Sequence, residues 1–545
     1  MSSSTTPAQD AIPDDDEAVI AETHDNIEEH EYPSVIRLSA IFMALVFGIF
    51  LTIISTAVPA ITEQFHSLDD VGWYGSAMFF PVAATQSFWG KCYKYFPMKA
   101  VFLVSIVIFE IGSLVCAVSG NSNTFIAGRA ITGTGAAGTF AGCFIIINFC
   151  TRPKYRPAAT GILSATFALA SVVGPLCVYG QHLMALVTKH SFYINLPFGA
   201  LAVVIFLVAF KPPRAAQPAP ATQREIFLQM DLPGVVLISG TVICFTLVMR
   251  ANVVGTLVGA AVLDIAFGVD QWWQGERALI MTSFLRNRTL LVGGIFEFFI
   301  SGAFYVALFY LPIYFQVVKG VSAIASGVRL VPLVLALTIT QIVLGGAITV
   351  TGIFNPFLIA GPALAAIGGG LLSTLDANST PGQWIGYQIL LGVGVGACLT
   401  IPLMLAGVVV QPKDVSTATA IIIFAQSIGG ALMLAAAQGI FQNELVRLLR
   451  KSVPEANPLA IISLGASQEA KEILPPEVLG AILETFVTAL KHTFVLAVPV
   501  AGIAFVVSFF QPWFKYHKPA VANGEISSME DANVSMTGVN VEAKP

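Results

Sequence analysis

The sequence predicts an all-α integral membrane protein built from a series of bilayer-spanning helices. Three observations carry that prediction. Of 545 residues, 56% are apolar and 11% charged, and the mean hydropathy is +0.79. A soluble chain of this length needs far more charge to cover its surface. Apolar windows of roughly 20 residues, enough to cross a hydrocarbon core of about 30 Å, recur along the chain. The basic residues between them fall mainly in alternate loops.

The windows lie at 36–58, 72–89, 98–118, 125–148, 158–179, 192–210, 233–249, 252–269, 291–315, 326–349, 356–374, 385–409, 419–440 and 492–511, fourteen in all. Glycines inside these runs suit membrane helices better than soluble ones. The pair 233–269 leaves only Arg250 to Asn252 as a turn, so one long bent segment is the alternative. Length favours two spans, because about 37 residues at 1.5 Å each cross the membrane nearly twice.

Loop charge sets the orientation. With a cytoplasmic N-terminus, the inside loops hold Lys91, Lys94, Lys99, Arg152, Lys154, Arg156, Lys211, Arg214, Arg224, Arg277, Arg286 and Arg288. The intervening outside loops hold Lys189, Arg250 and Lys319. Both termini are therefore expected in the cytoplasm. Asn378, in an Asn-Ser-Thr triplet, then faces outside and is a glycosylation candidate.

The segment 1–35 reads as a disordered acidic tail. Asp10 to Glu31 hold ten acids, and no Lys or Arg precedes Arg37; without an apolar core it is no signal peptide. Residues 512–545 form a second cytoplasmic tail. The outside segment 442–491 contains an amphipathic stretch, Glu477 to Lys491, expected to lie on the membrane surface. Of the seven cysteines, Cys116, Cys143, Cys244 and Cys398 fall in apolar runs without metal spacing, and read as small core residues. No metal or cofactor is expected.

Some spans are unsuited to facing lipid alone. "GRAITGTGAAGTFAGCF" carries Gly128, Gly133, Gly135, Gly138 and Gly142, small residues that admit a neighbouring backbone. Arg129 in the same run is costly in lipid and calls for a partner or a wet cavity. Glu110, at similar depth in the third span, is one candidate partner, although their relative facing is open.

These residues carry a resemblance. Gly128-Arg129 with its glycine ladder looks like the fourth-helix motif of the major facilitator superfamily, and "SVVGPLCVYG", with Gly174 and Pro175, resembles the motif of its antiporter branches. "FYINLPFGA", "DLPG", "WWQGER" and "YLPIYFQVVKGVSAIASGVRLVP" are similar to segments of the fourteen-span drug:proton antiporters of filamentous fungi. The resemblance covers about Ile36 to Pro512. It implies a major facilitator fold with two six-helix bundles, 36–210 and 291–511, joined by a linker at 211–290 with two extra helices. It also implies alternating access around a central cavity, and export of hydrophobic small molecules such as fungal toxins.

The departures bear on mechanism. The first span has Phe50 where the family pattern usually places Asp, so no carboxylate there carries a proton. Lys94 stands in "GKCYKYFPMK" where the wider family has Asp, in the manner of the fungal subgroup. Val178 and Tyr179 replace a Gly-Gly pair, and the stretch to Ser191 lacks the usual Trp-Arg-Trp. With the short turn near Arg250, these changes leave an altered gene or gene model as an open alternative.

The remaining proton-coupling candidates are Glu297 in the ninth span, Glu110, and Asp264 in the eighth. Glu297 is preferred, since a carboxylate wet in one state and dry in another exchanges protons on alternate sides. Arg129, Arg329, Gln341, Gln426, Phe304 and Tyr305 are candidates for the cavity or its gates, and Arg329 reads equally as an interfacial anchor. No phosphate-binding Gly-Lys-Ser/Thr loop or other catalytic motif is present, so neither ATP drive nor enzyme activity is expected. The expected partners are a small-molecule cargo, protons and the bilayer, with no nucleic acid, for a monomer in the plasma membrane rather than the vacuole. Import of a siderophore or nutrient, or a non-transporting sensor or relic, is the alternative.

Overall fold

The computed structural model describes residues 32–53, 71–179, 195–213, 216–247, 253–452, 476–513 and 515. We number the long helices α1 Val35–Ile53, α2 Val71–Tyr95, α3 Met98–Val118, α4 Ser122–Cys150, α5 Arg156–Tyr179 and α6 Asn195–Ala209. There follow α7 Leu232–Leu247, α8 Val253–Gln274, α9 Arg288–Ile313, α10 Val331–Thr351 and α11 Asn355–Leu372. The last are α12 Pro381–Cys398, α13 Val415–Ser452, α14 Pro476–Val495 and α15 Ala497–Ser508. A helix lies under every apolar window of the sequence. By length and hydropathy alone, 8 described helices or helix runs qualify as membrane spans.

Local sequence explains several ends. Asn121 caps α4 by accepting from Thr124 N, and Asn287 caps α9 by accepting from Thr289 N and Leu290 N. Each satisfies backbone donors that the first helical turn leaves free. The window 385–409 is not one helix. It breaks after Cys398 and resumes at Ile401–Ala406, because Pro402 cannot donate to the helix behind it.

α7 and α8 form an antiparallel pair rather than one bent rod. A side chain at Gly240 would meet Leu263, and one at Gly259 would meet Cys244. The turn between them, including Arg250, lies outside the described residues, as do most of the acidic tail and of the segment after Pro512. The window 419–440 is exceeded on both sides by the 38-residue α13. The stretch 477–491 does not lay its apolar face on a membrane. Ile482, Phe486 and Ala489 of α14 pack against Leu445 and Leu449 in the extension of α13. A protein surface thus covers the stripe that suggested lipid.

One apolar core is drawn from α9 to α15, around Phe296, Tyr310, Leu344, Leu391 and Phe494. A second is drawn mainly from α1 to α6, around Phe102, Phe144, Ile146 and Phe206. The two groups meet through α2 against α13 and α5 against α10. Both contacts depend on absent side chains. A Cβ at Gly90 would collide with Ala420, one at Gly161 would press on the Gln341 carbonyl at 2.6 Å, and one at Gly345 would press on that of Pro157 at 2.7 Å.

All of these approaches lie toward the end of the molecule that carries the basic loops. There the Lys94 ammonium also pairs with Asp414 at 2.8 Å, Arg156 donates to the Gly407 carbonyl at 3.1 Å, and Ala158 N donates to Thr349 Oγ1 at 3.2 Å. The motif residues of the linker join the same end. Asp231, with φ of 46°, accepts from Gly234 N at 3.0 Å, Leu279 N at 2.8 Å and Gln271 Nε2 at 2.8 Å, and also from Gln274. Lys91 donates to the Arg277 carbonyl, fastening α2 to the segment after α8.

Two predictions test this closed end. Gly161→Val should lower thermal stability and transport together, since overpacking typically costs about 1–3 kcal/mol. Gly382→Ala, where nothing stands within 4 Å of the new Cβ, should change neither. Lys94→Asp or Asp414→Lys alone should slow transport, and the double exchange should recover most of the loss. With both side chains partly exposed, a double-mutant cycle should return a coupling of about 0.5–1 kcal/mol.

Candidate functional site

Five helices and one helix break line a cavity between the two groups. On α9, Glu297 and Phe304 are seven residues apart and share a face, and Ser301 between them donates to the Gln426 carbonyl at 2.9 Å. On α10, Leu337 and Gln341 are one turn apart, as are Phe140 and Phe144 on α4. α13 supplies Ile422, Ile423 and Gln426, α5 supplies Ser164, and the break after α12 supplies Leu399, Thr400 and Leu403. The open space among these side chains is about 30 Å³, room for about one or two water molecules.

Depth follows from helix geometry. Glu297 lies nine residues into α9 and Gln341 ten residues from the end of α10, roughly 14–15 Å from the basic end at 1.5 Å per residue. The cavity is therefore near the middle of a bilayer-thick body. The Gly161–Gln341 contact lies against its wall on the basic side.

The electrostatics are lopsided. Glu297 is 2% exposed and Gln341 1%. Glu297 Oε2, Gln341 Oε1, Ser164 Oγ and Thr400 Oγ1 have no hydrogen-bond partner. Such groups are rare in folded proteins, and each costs about 1–3 kcal/mol until satisfied. Among the described lining residues Glu297 is the single acid, and none is basic, Cys or His, so the set offers no cage for a metal ion.

The structure thus brings together Glu297, Phe304, Gln341 and Gln426 of the sequence candidates. It places the others elsewhere. Tyr305, beside Phe304, packs on α13 at Gly430 instead of lining the cavity. Arg329 lies over the edge-to-face pair Phe315 and Trp384, 5.7 Å from each ring centre, which fits an anchor within the second group of helices. Asp264 is exposed on α8, and Asn378 is exposed in the loop before α12. Gly174 and Pro175 fall on α5, and Phe50 on α1, but their side chains lie outside the described residues.

Arg129 and Glu110 do not join as the sequence allowed. Arg129 is buried on α4, 11 residues before Phe140, or roughly 16 Å along the helix. Phe109 and Gly112 of α3 face α4, at Gly135 and Thr132. Glu110, one step around the helix, turns instead to α6, where a Cβ at Gly199 would strike its carboxylate. Neither of its oxygens accepts a hydrogen bond, so Arg129 does not donate to it. Three residues on, Ser113 accepts from Asn195 Nδ2 at 3.2 Å and continues the same α3–α6 seam.

Sequence reasoning missed Ser164, Thr400, Phe140 and Phe144. Pro402 marked the helix break that delivers Thr400, while the phenylalanines stand two residues either side of Gly142, the last rung of the glycine ladder.

The comparisons agree with this architecture. The family model described as Major Facilitator Superfamily matches residues 40–434. The chain is 41% identical over 517 residues to the MFS-type transporter GME11371 of Pestalotiopsis microspora, covering 91% of this chain and 94% of that one. It is 41% identical over 501 residues to the probable efflux pump gsfJ of Penicillium aethiopicum, covering 89% of each. It is 36% identical over 474 residues to the MFS-type efflux pump MFS1 of Trichophyton rubrum, covering 85% of this chain and 88% of that one. Among solved structures, the proton:xylose symporter XylE superposes with a TM-score of 0.59 over 89% of this chain and 97% of its own, at 13% identity. The human organic anion transporter MFSD10 does so with a TM-score of 0.58 over 87% of this chain and 100% of its own, also at 13% identity. The helices, the mid-depth cavity between two groups of them and these matches lead to one conclusion: the chain is a multi-pass membrane protein of the major facilitator superfamily.

Proposed function

We propose that this chain is a secondary active exporter of hydrophobic small molecules, driven by proton antiport. The observation that carries the reading is the mid-depth cavity, apolar over most of its wall, with one buried carboxylate, Glu297, and no basic residue among its described lining. Efflux as the direction is supported by relatives named efflux pumps.

In this reading the chain makes fourteen spans with both termini in the cytoplasm. Residues 36–210 and 291–511 form the two bundles, and 211–290 the linker whose helices α7 and α8 pair with each other. The protein acts as a monomer in the plasma membrane. Glu297 takes the proton, since Phe50 removes the first-span carboxylate and Glu110 sits in a helix seam away from the cavity. α9 is the first helix of the second bundle, which the pseudo-symmetry of such transporters relates to the first span. The basic end is the cytoplasmic one, so the arrangement described above is closed toward the cytoplasm.

Cells producing the protein should accumulate less of a fluorescent toxic dye than cells lacking it. Greater accumulation would indicate import, and no difference a sensor or relic. Glu297→Gln keeps the shape and an acceptor oxygen but loses the titratable group. It should leave cargo binding in place while export ceases to follow the pH gradient. Export by this variant at the parental rate and pH dependence would remove Glu297 from the coupling step.

A further inference from the structure

The two helices of the linker have a place in the movement between the bundles. We infer that α7 and α8 are a seal: they travel with α2, cover the seam between α2 and α13 from the lipid side, and let α13 slide beneath them. Lys91 is the positioning residue that holds the seal to α2. The inference goes beyond the exporter reading, since it needs the two bundles to move against each other whichever way the cargo travels.

An apolar cluster covers the seam. Phe88 of α2, Ile238 of α7, Phe267 of α8, Leu279 beyond it, and Phe424 and Ile428 of α13 pack together. Elsewhere on α8, Val258, Val262, Ile265 and Val269 stand three and four residues apart and are all exposed. They form the face turned to lipid. On α13, Ile423 and Gln426 line the cavity from nearly the opposite side to Phe424 and Ile428. One helix therefore separates the cavity from the linker. Without the linker, lipid would reach the seam whenever α2 and α13 part.

The linker meets its two neighbours in different ways. Toward α2 the contacts include directional polar ones. Lys91, 1% exposed, donates to the Arg277 carbonyl, and Ala219 N donates to the Lys94 carbonyl at 2.9 Å. Asp231 and Asp270 lie close enough to attract the Lys91 charge, which offsets part of the cost of taking an ammonium out of water. The grip extends through the linker, because Asp231 ties α8 to Leu279 and the Arg277 side chain pairs with Glu225 at 2.9 and 2.7 Å. Toward α13 the described contacts of α7 and α8 are apolar. A hydrogen bond is lost once its partners leave a narrow range of distance and angle, whereas apolar burial has no preferred direction and survives sliding. The turn of α2 that sets Gly90 and Lys94 against α13 also presents Lys91 to the linker. One helix thus bears both the gate and the seal.

The test places the photoreactive residue p-benzoylphenylalanine at Phe88 or at Phe424 of the full-length protein in cell membranes. Adducts are mapped by mass spectrometry with and without a fluorescent toxic dye, at acidic and alkaline pH. From Phe88 the adducts should fall on the same linker residues in every condition. From Phe424 they should move along the linker by about one helical turn between conditions, and none should form with lipid. Lys91→Met, in protein whose helical circular dichroism matches the parent, should make the Phe88 adducts move as well. Lys91→Arg, which keeps a charged donor, should restore the fixed pattern. Lipid adducts from Phe424 in the parent, moving adducts from Phe88 with fixed ones from Phe424, or an unchanged pattern in Lys91→Met would overturn the inference. Fixed adducts from both positions in a protein that expels dye would overturn it while leaving the exporter reading intact. Moving adducts from Phe424 alone in a protein that expels no dye would support the seal and overturn the exporter reading instead.

Discussion

The cavity depends on how closely α5 and α10 approach. Gly161 and Gly345 remove the side chains that would hold the two backbones apart, and the Gln341 carbonyl lies in the space so released. This contact and its counterpart at Gly90 bring the two helix groups together near the basic end while space remains at mid-depth. Neither contact relies on lipid exclusion, which supplies little drive between helices whose surroundings are equally apolar. Close van der Waals fit does the holding, as membrane helices require. Polar interactions such as Lys94–Asp414 then add register at the rim, where water reduces their strength.

Much of the fold was legible because hydropathy and loop charge report directly on a bilayer. The limits of the spans were less so. A hydropathy window ends where polar residues begin, yet α13 continues because Leu445 and Leu449 find a protein partner in α14. The amphipathic signal of α14 was real, but periodicity says only that one face is covered. It does not say whether lipid or protein covers it. The split of α12 shows the converse, a break that a proline announced and a smooth apolar average concealed.

The site was legible where a residue was conspicuous. Glu297, Gln341 and Gln426 stand out as polar positions in apolar runs. Ser164 and Thr400 do not, since hydroxyls are common in such helices, where many bond to the carbonyl one turn back, as Thr132 and Thr139 do in α4. Arg129 and Glu110 show the other difficulty. Sequence placed them at similar depth, but rotation about the α3 axis decides partners. One residue is about 100° of turn at 3.6 residues per turn, enough to move Glu110 from the α4 seam to the α6 seam.

The length of α13 carries a consequence of its own. Its 38 residues form a single rod of roughly 57 Å at 1.5 Å per residue, longer than the hydrocarbon core it crosses. One tip lies beside the Lys94–Asp414 pair, and the far end is clad by α14. A stiff rod cannot tilt at one tip alone. Any rocking that parts α2 from α13 must sweep the projecting helical hairpin through an arc at the opposite face. A fluorophore on that hairpin, remote from both cargo and gate, would thus work as the pointer of a dial whose spindle is buried in the membrane.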